Sequence, residues 1–301
     1  MKLNLIEYIP NKIVPKKGEI TKKLKIVESN DYYQLEAFRC NSILLPKKIF
    51  LDERDAISVG LYFAEGYKTS KVSSINNHRG EINFTNSELI SLRLFLRFMS
   101  KFNIKSKDFS WEVGQNINFR NIKKEEIFNY WIKTLKINPD KSRKKWFRYR
   151  GVVGGKIYHN DIFGHVQLSF ASVIFFNFFI NLINKVFGEA IKSKDKKTLA
   201  LILKGYFAGD GSVSHSKNLM DRRQVDFLCN DHELRNKLKK SLEIVGLKNL
   251  KETDPINTKA HTHSIRIYNK NDFLILKEYG ILDLIPKKRK IFKRIINSYV
   301  C

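Results

Sequence analysis

Apolar residues follow two different spacings along this chain. Over residues 87–102 they recur three or four positions apart, which predicts an amphipathic helix. Over residues 81–85 they alternate with polar residues, which predicts a strand with one buried face. The same two patterns predict further helices over residues 52–66, 123–135, 170–183, 198–211, 231–246 and 270–280, with short strands between them.

The order of these elements occurs twice. Helix, two strands, helix, two strands and helix run over residues 52–190, and the same order returns over residues 191–283. A recurring order of elements indicates an internal repeat. Residues 1–51 precede it as an extension of short strands, and residues 284–301 follow it as a basic C-terminal tail. The chain is therefore predicted to be α+β, with two pseudo-symmetric αββαββα repeats.

The first helix of each repeat carries two small residues four positions apart. These residues are Gly60 and Ala64 in the first repeat and Gly205 and Gly209 in the second. Residues four apart share one face of a helix, and a face without bulky side chains lets another backbone approach closely. If the two helices pack through these faces, Glu65 and Asp210 emerge side by side at the helix ends.

Two neighbouring carboxylates repel each other unless a cation lies between them. Mg²⁺ is the natural candidate, because it binds one or two carboxylates and keeps its other positions for water and phosphate oxygens. Two such ions can activate a water and stabilise the leaving oxygen of a phosphodiester. The negative ends of the two helix dipoles add to the preference for a cation. Mn²⁺ and Ca²⁺ are the expected substitutes in the same site.

The charge of the chain indicates a polyanionic partner. Its 56 lysines and arginines outnumber its 30 acids, so that the net charge is +26 and the pI is near 9.9. The three cysteines are far apart and form no CxxC pair. This argues against a disulfide framework or a zinc site and for a reducing compartment.

Targeting signals are not apparent in the sequence. The N-terminus lacks the apolar core of a signal peptide. The most apolar run, residues 170–183, is too short to span a bilayer and is interpreted as a buried helix. We therefore expect a cytoplasmic protein that does not bind membranes, associated with the nucleoid in a prokaryote, with an organelle as the alternative.

The segments SVGLYFAEG and LKGYFAGDG resemble the two signature helices of the LAGLIDADG homing endonucleases, in their single-chain form with two motifs. The resemblance covers about residues 52–283. It implies a monomer in which the signature helices form the interface, two β-saddles lie along double-stranded DNA, and Glu65 and Asp210 bind the metal. It also implies that the backbone carbonyls of Ala64 and Gly209 are further ligands. Glu65 replaces the aspartate of the consensus, a change that the family tolerates.

Outward positions on the predicted strands are the candidates for contacts with DNA. Alternate residues of a half-buried strand face opposite sides, so that Val225 and Phe227 are expected to face the helices and their polar neighbours to face the bases. In the first repeat the candidates are Thr69, Lys71, Ser73, Arg79, Glu81, Asn83 and Thr85. In the second repeat they are Ser214, Ser216, Arg222, Gln224, Asp226, Ser264, Arg266 and Tyr268. An ordinary solvated strand face is the alternative at each position.

Several polar residues outside these rows are further candidates. Lys270 stands where the last strand meets the last helix, and by the resemblance this place can hold a basic residue that stabilises charge near the scissile phosphate. The basic loop over residues 140–150 and the basic tail are expected to contact phosphates. A solvated lysine or charge run is the alternative in each case. Asn86 and Asn230 are weaker candidates for positioning a water.

These features favour a site-specific endonuclease that hydrolyses both strands of DNA within a long, near-palindromic or asymmetric target. Each acid is expected to serve mainly one strand. By the resemblance, cleavage crosses the minor groove and leaves short 3′ overhangs. Two alternatives use the same scaffold, namely an RNA maturase that assists intron splicing and a catalytically inactive DNA-binding regulator. The intact pair of acids argues against the inactive regulator.

Overall fold

The computed structural model describes most of the chain. The described residues are 1–13, 21–66, 80–116, 122–143, 148–150, 162–216, 222–253 and 263–299. Four predicted DNA contacts lie outside them, namely Thr69, Lys71, Ser73 and Arg79. At Ser216 and Arg222 the strand is described but the side chain is not.

The helices of the described residues are α1 (Glu53–Glu65), α2 (Leu89–Ser100), α3 (Lys124–Leu135), α4 (Val173–Lys192), α5 (Lys196–Asp210), α6 (His232–Val245), α7 (Lys270–Glu278) and α8 (Pro286–Asn297). The strands are β1 (Lys2–Asn4), β2 (Lys12–Ile13), β3 (Lys22–Lys23), β4 (Lys25–Glu28), β5 (Tyr32–Glu36), β6 (Ile43–Pro46), β7 (Lys48–Phe50), β8 (Glu81–Asn86), β9 (Ser110–Asn116), β10 (Arg148–Arg150), β11 (His165–Ala171), β12 (Gly211–Ser216), β13 (Arg222–Leu228), β14 (Leu250–Thr253) and β15 (Ser264–Ile267).

The chain divides into two compact units. One unit takes in residues 1–50 and 73–182, and the other takes in residues 51–72 and 183–301. The division falls inside α4. It also places α1 in the same unit as α5, so that both helices that end in an acid belong to one compact body.

The first unit is built on a four-stranded sheet in the order β10-β9-β11-β8. Strands β9, β11 and β8 are antiparallel neighbours, and β10 pairs parallel to β9. The inward positions of β8, Ile82 and Phe84, are fully buried, and the ring of Phe84 stacks on Phe95 of α2 at 4.3 Å. This alternation along β8 is the one that the sequence predicts. The strands β1 to β7 of the extension belong to the same unit.

The second unit is built on a four-stranded antiparallel sheet in the order β12-β13-β15-β14. Its inward residues Val225, Phe227, Ile265 and Ile267 are fully buried. The ring of Phe207, on α5, lies 5.2 Å from that of Phe227. Burial of these apolar side chains attaches α5 firmly to the sheet.

The two sheets share one strand order, and this confirms the predicted α+β fold with internal repeats. Strands β8, β11 and β9 follow one another in the first sheet as β13, β15 and β14 do in the second. Strand β12 follows α5 directly, and the corresponding position after α1 falls at residues 67–79, outside the described part of the chain. The short strand β10 and helix α3 are additions to the first repeat.

Two boundaries differ from the sequence prediction. Phe170 and Ala171 belong to the end of β11 rather than to the following helix, because their backbone pairs with β8. The helix itself then continues to Lys192, well past residue 183.

The basic tail contains a helix, α8, whose apolar residues Phe292, Ile295 and Ile296 are buried. Their spacing of three and four positions is the signal that predicts such a helix.

Helix α4 is the one helix of the described residues that is long and apolar enough, by length and composition, to cross a membrane. Three of its phenylalanines, Phe175, Phe178 and Phe179, are fully buried within the protein. All three rings contact Phe102 at centroid distances of 5.7 to 6.1 Å. These contacts are those of a core helix.

Candidate functional site

Helices α1 and α5 begin at acidic caps and end at acidic residues. The Asp52 carboxylate accepts hydrogen bonds from the backbone N–H groups of Arg54 and Asp55, and the Asp55 carboxylate accepts one from the N–H of Asp52 at 2.7 Å. At the start of α5, Asp195 accepts a hydrogen bond from the backbone N–H of Thr198 at 3.1 Å. Such caps fix where a helix starts. The last residues of the two helices are then Glu65 and Asp210.

The backbones of α1 and α5 touch through glycine. A Cβ atom placed on Gly60 would overlap the carbonyl oxygen of Ile202 and lie 2.8 Å from the backbone nitrogen of Tyr206. A Cβ atom on Gly205 would overlap the carbonyl oxygen of Ile57 in the same way. The two contacts repeat each other across the seam, as pseudo-two-fold symmetry requires. Neither position has room for any side chain.

The two helices run side by side in the same direction. At their starts, Lys197 Nζ forms an ion pair with Glu53 Oε1 at 2.7 Å, although both side chains are exposed and contribute little to stability. At their ends, a Cβ atom on Gly209 would lie 2.6 Å from Cβ of Ala64. Because the helices are parallel, the negative ends of both helix dipoles lie together.

The side chain of Glu65 reaches across the seam to the end of α5. A Cβ atom on Gly209 would lie 2.7 Å from its Cγ and 3.2 Å from its Oε1. Gly209 is the residue directly before Asp210. The structure therefore places the Glu65 carboxylate against the last turn of the helix that presents the second acid.

Each acid is followed by a glycine, because a neighbouring aromatic ring leaves no room for a side chain at that position. Gly66 has φ −72° and Gly211 has φ −86°, so that neither needs the left-handed region. A Cβ atom on Gly66 would lie 2.5 Å from the carbonyl oxygen of Tyr62 and 2.7 Å from its ring, and one on Gly211 would overlap the ring of Phe207. These aromatic rings fold over the helix ends, and β12 begins at Gly211 directly after the acid.

A buried tyrosine lies close to the second acid. The Tyr206 hydroxyl donates a hydrogen bond to the carbonyl oxygen of Leu228 at 2.7 Å. Burial raises the pKa of Tyr206 well above its ordinary value, and negative charge at Cys229 and Asp210 raises it further. The hydroxyl therefore stays neutral and fixes α5 to the end of β13.

Sequence reasoning missed the contact that Lys288 makes with the end of α5. Neither α1 nor α5 has a basic residue in its own last turn. Lys288, on α8, instead donates hydrogen bonds from Nζ to the carbonyl oxygens of Phe207 at 3.0 Å, Ala208 at 2.7 Å and Gly209 at 3.1 Å. This lysine was expected to contact phosphates with the rest of the tail. No local pattern in the sequence indicates which of the tail lysines makes such a contact.

The donor set at the helix ends fits a hard divalent cation. Two carboxylates and backbone carbonyls are oxygen ligands, which suit Mg²⁺, Mn²⁺ or Ca²⁺ better than zinc. Within the described residues, no group of three or more His, Cys, Asp or Glu side chains could hold a metal. Of the two carbonyls that the family resemblance implies as ligands, that of Gly209 accepts a hydrogen bond from Lys288.

The outward row of the first sheet is partly engaged in hydrogen bonds. Glu81 pairs with Arg143 Nη2 at 2.6 Å, and Asn83 accepts a hydrogen bond from Ser169 Oγ at 2.6 Å. Thr85 donates to Gln167 Oε1 at 3.3 Å. Glu81, Asn83 and Thr85 are half-buried, so that each keeps part of its polar surface accessible.

The outward row of the second sheet centres on Asp226. Its carboxylate accepts hydrogen bonds from Gln224 Nε2, from Arg266 Nε at 2.9 Å and from Ser264 Oγ at 3.5 Å. The side chains that pack against one another here are buried, namely Gln224, Asp226 and Ser264. Arg266 is half-buried. Ser214 and Tyr268 are exposed, the latter by 52%. Arg266 is thus the accessible end of a fixed network.

The remaining candidates lie in local structural contacts. Lys270 is the first residue of α7, and its Nζ lies 3.4 Å from the carbonyl oxygen of Tyr299. The side-chain oxygen of Asn86 accepts a hydrogen bond from the backbone N–H of Glu88 at 2.7 Å. That of Asn230 accepts one from the backbone N–H of His263 at 2.9 Å. Their roles toward a substrate stay predictions.

Comparison with known proteins finds a family match within the second repeat. Residues 197–279, from α5 to the end of α7, match the family described as LAGLIDADG-like domain. No curated protein sequence matches the chain.

Several solved structures are similar to the chain at low identity. The N-terminal LAGLIDADG domain of DUF199/WhiA is 14% identical over 77% of this chain and 84% of that chain, with a TM-score of 0.37. I-DmoI in complex with DNA and Mn is 12% identical over 75% of this chain and 94% of that chain, with a TM-score of 0.41. The meganuclease I-SmaMI bound to uncleaveable DNA is 10% identical over 83% of this chain and 92% of that chain, with a TM-score of 0.38.

The glycine seam predicts an unusual response to alanine. Within a helix, replacing glycine by alanine normally stabilises by up to about 1 kcal/mol. Gly205→Ala is expected to lower the free energy of unfolding by about 1–3 kcal/mol or more, because the new methyl group overlaps the carbonyl of Ile57. Chemical denaturation monitored by circular dichroism measures the change.

Gly188→Ala is the matched control, since Gly188 is also helical and a Cβ atom placed on it would meet nothing within 4 Å. This variant should be as stable as the parent or slightly more stable. If both variants gained stability alike, α1 and α5 would not be in backbone contact.

Proposed function

We propose that this chain is a LAGLIDADG protein and a site-specific endonuclease that cuts double-stranded DNA with a divalent cation bound by Glu65 and Asp210. The observation that supports it most directly is the position of Glu65. Its carboxylate crosses the seam and lies against Gly209, next to the second acid. A protein that only bound DNA would have no need to hold two carboxylates together at parallel helix ends.

The packing of α1 against α5 would hold the ligands of the cation in fixed positions. Mg²⁺, when bound, would supply a Lewis acid and an activated water for phosphodiester hydrolysis. Glu65 and Asp210 bind it from two different helices, and the contacts of Gly60 and Gly205 fix how far apart those helices lie. The Ala64 carbonyl is a proposed further ligand. Each acid serves mainly one of the two DNA strands.

We propose that side chains held in place on the sheets recognise the sequence of the DNA target. Asp226 engages Nε of Arg266 at 2.9 Å and so restrains the guanidinium plane. The terminal nitrogens of a guanidinium held in this way suit a bidentate contact with O6 and N7 of guanine. Lys251 lies opposite Arg266 in the sheet and is exposed, which suits a phosphate contact without sequence choice.

The net charge of +26 supplies the general affinity for DNA. Helix α8 presents its charged side to solvent, and the exposed basic residues are Lys287, Arg289, Lys290, Lys293 and Arg294. There is no acid in its first turn to offset them. Contacts of this kind with phosphates strengthen binding at low salt and weaken as salt rises.

Replacing either acid tests the proposed reaction. Glu65→Gln and Asp210→Asn are each expected to slow double-strand cleavage by about 100-fold or more, since even changes beyond the direct ligands of a metal cost about 10- to 100-fold. The target is first obtained by incubating the parent protein with Mg²⁺ and a plasmid library of randomised inserts and sequencing the cut ends. Cleavage of that target is then timed, and its binding is measured by gel shift in Ca²⁺.

Glu53→Gln serves as the control, because Glu53 is an exposed acid at the start of α1, at the opposite end of that helix from Glu65. It should cut at the parental rate, and all three variants should bind the target. Undiminished cutting by both Glu65→Gln and Asp210→Asn would contradict the proposal. A parent protein that bound DNA but never nicked it with Mg²⁺ or Mn²⁺ would instead be a regulator without catalysis.

A matched pair of variants tests how the target is read. Arg266→Gln should change the preference at one base pair by about 1–3 kcal/mol, because a bidentate contact is lost there. Lys251→Gln should weaken binding alike for all sequences, because a phosphate contact carries no sequence information. Binding of each variant to a set of single-base target variants measures both effects. A uniform loss in Arg266→Gln, with no altered base preference, would contradict the assignment.

A further inference from the structure

Lys288 differs in its contacts from its neighbours on α8. Lys287, Arg289 and Lys290 lie on the charged side of the helix, whereas Lys288 turns toward α5. Its ammonium group lies within 2.7 to 3.1 Å of three successive carbonyl oxygens of α5 and 5.4 Å from the centroid of the Phe207 ring. An ammonium group has three donors, and three carbonyl oxygens of α5 lie within hydrogen-bond distance of this one.

This contact brings a fixed positive charge to the negative end of α5. The carbonyl of Phe207 also accepts the backbone N–H of Gly211, whereas those of Ala208 and Gly209 belong to the last turn, where carbonyls lack partners within a helix. A cation near these carbonyls is favoured. Because α5 has no basic residue in its own last turn, Lys288 supplies that charge from another helix. The third carbonyl in the set belongs to Gly209, which precedes Asp210 in the chain.

The same carbonyl and acid belong to the proposed cation site. An oxygen that accepts a hydrogen bond from an ammonium group has less electron density for a divalent ion, and the two positive charges also repel each other. We propose that Lys288 is a positioning residue that occupies the α5 side of the cation site. A divalent ion that binds beside Asp210 is therefore repelled by the positive charge of Lys288, which lowers its affinity. This inference rests on the proposed function. In the protein without a metal, Lys288 offsets the negative charge at the end of α5.

Direct measurement of Mn²⁺ binding tests the role of Lys288 without any cleavage. The full-length protein is titrated with Mn²⁺ alone, and free Mn²⁺ is followed by electron paramagnetic resonance. Lys288→Met keeps the apolar stem but removes the charge, and it should bind Mn²⁺ about 3- to 10-fold more tightly. Lys288→Arg, which keeps the charge, should bind like the parent. Lys287→Met removes a neighbouring exposed charge and should change the affinity less than about twofold.

Asp210→Asn separates failure of this inference from failure of the proposed function. In the parent background it should weaken Mn²⁺ binding, and combined with Lys288→Met it should remove the gain. If Asp210→Asn left Mn²⁺ binding unchanged in the parent, the proposed function itself would fail. If Asp210→Asn weakened binding but Lys288→Met lost only thermal stability, Lys288 would be a structural cap and the inference would be overturned.

A second measurement uses the parent protein alone and so does not depend on how the variants fold. The ¹⁵N-labelled lysine ammonium signals are recorded by nuclear magnetic resonance during titration with Mg²⁺. The Lys288 signal should shift with the same midpoint as Mg²⁺ binding. A Lys288 signal that did not move at saturating Mg²⁺ would overturn the inference.

Discussion

Direct contact between the backbones of α1 and α5 is the constraint on which the candidate site depends. Gly60 and Gly205 let the carbonyl of the opposite helix approach where any side chain would collide. Because each acid is the last residue of its helix, the packing of the two helices sets how far apart the backbones of the two acids lie. Buried aromatic contacts of α5 with its sheet then hold the seam in place.

Parallel packing concentrates negative charge at one point of a strongly basic protein. Two helix dipoles end together there, and Glu65 and Asp210 add their carboxylates. The protein offsets part of that charge with its own cation, Lys288, whose ammonium group donates a hydrogen bond to the carbonyl oxygen of Gly209. Elsewhere the excess of basic residues is spread over exposed surfaces such as α8, where it suits the phosphates of DNA. The proposed chemistry and the proposed general affinity for DNA therefore rest on different parts of the chain.

Most of the features that could be predicted from the sequence were indicated by local patterns of residues. Alternation along β8 and β13 placed Phe84 and Phe227 in the core, and the repeated order of elements predicted the fold class. Contacts made by residues far apart in the chain were not predictable in this way. Lys288 is 79 positions from Gly209, and Arg266 is 40 positions from Asp226, so that no local spacing indicates either contact. Even the end of β11 depended on pairing with a distant strand rather than on its own residues.

Joint binding of a divalent ion by the two helix ends is tested most directly by locating that ion. Crystals of the protein with its DNA target and Mn²⁺ would be measured at the manganese absorption edge. If both helix ends bind the ion, anomalous density is expected within about 2.5 Å of carboxylate oxygens of both Glu65 and Asp210. Density bound elsewhere, or carboxylates that face away from each other across the seam, would contradict it.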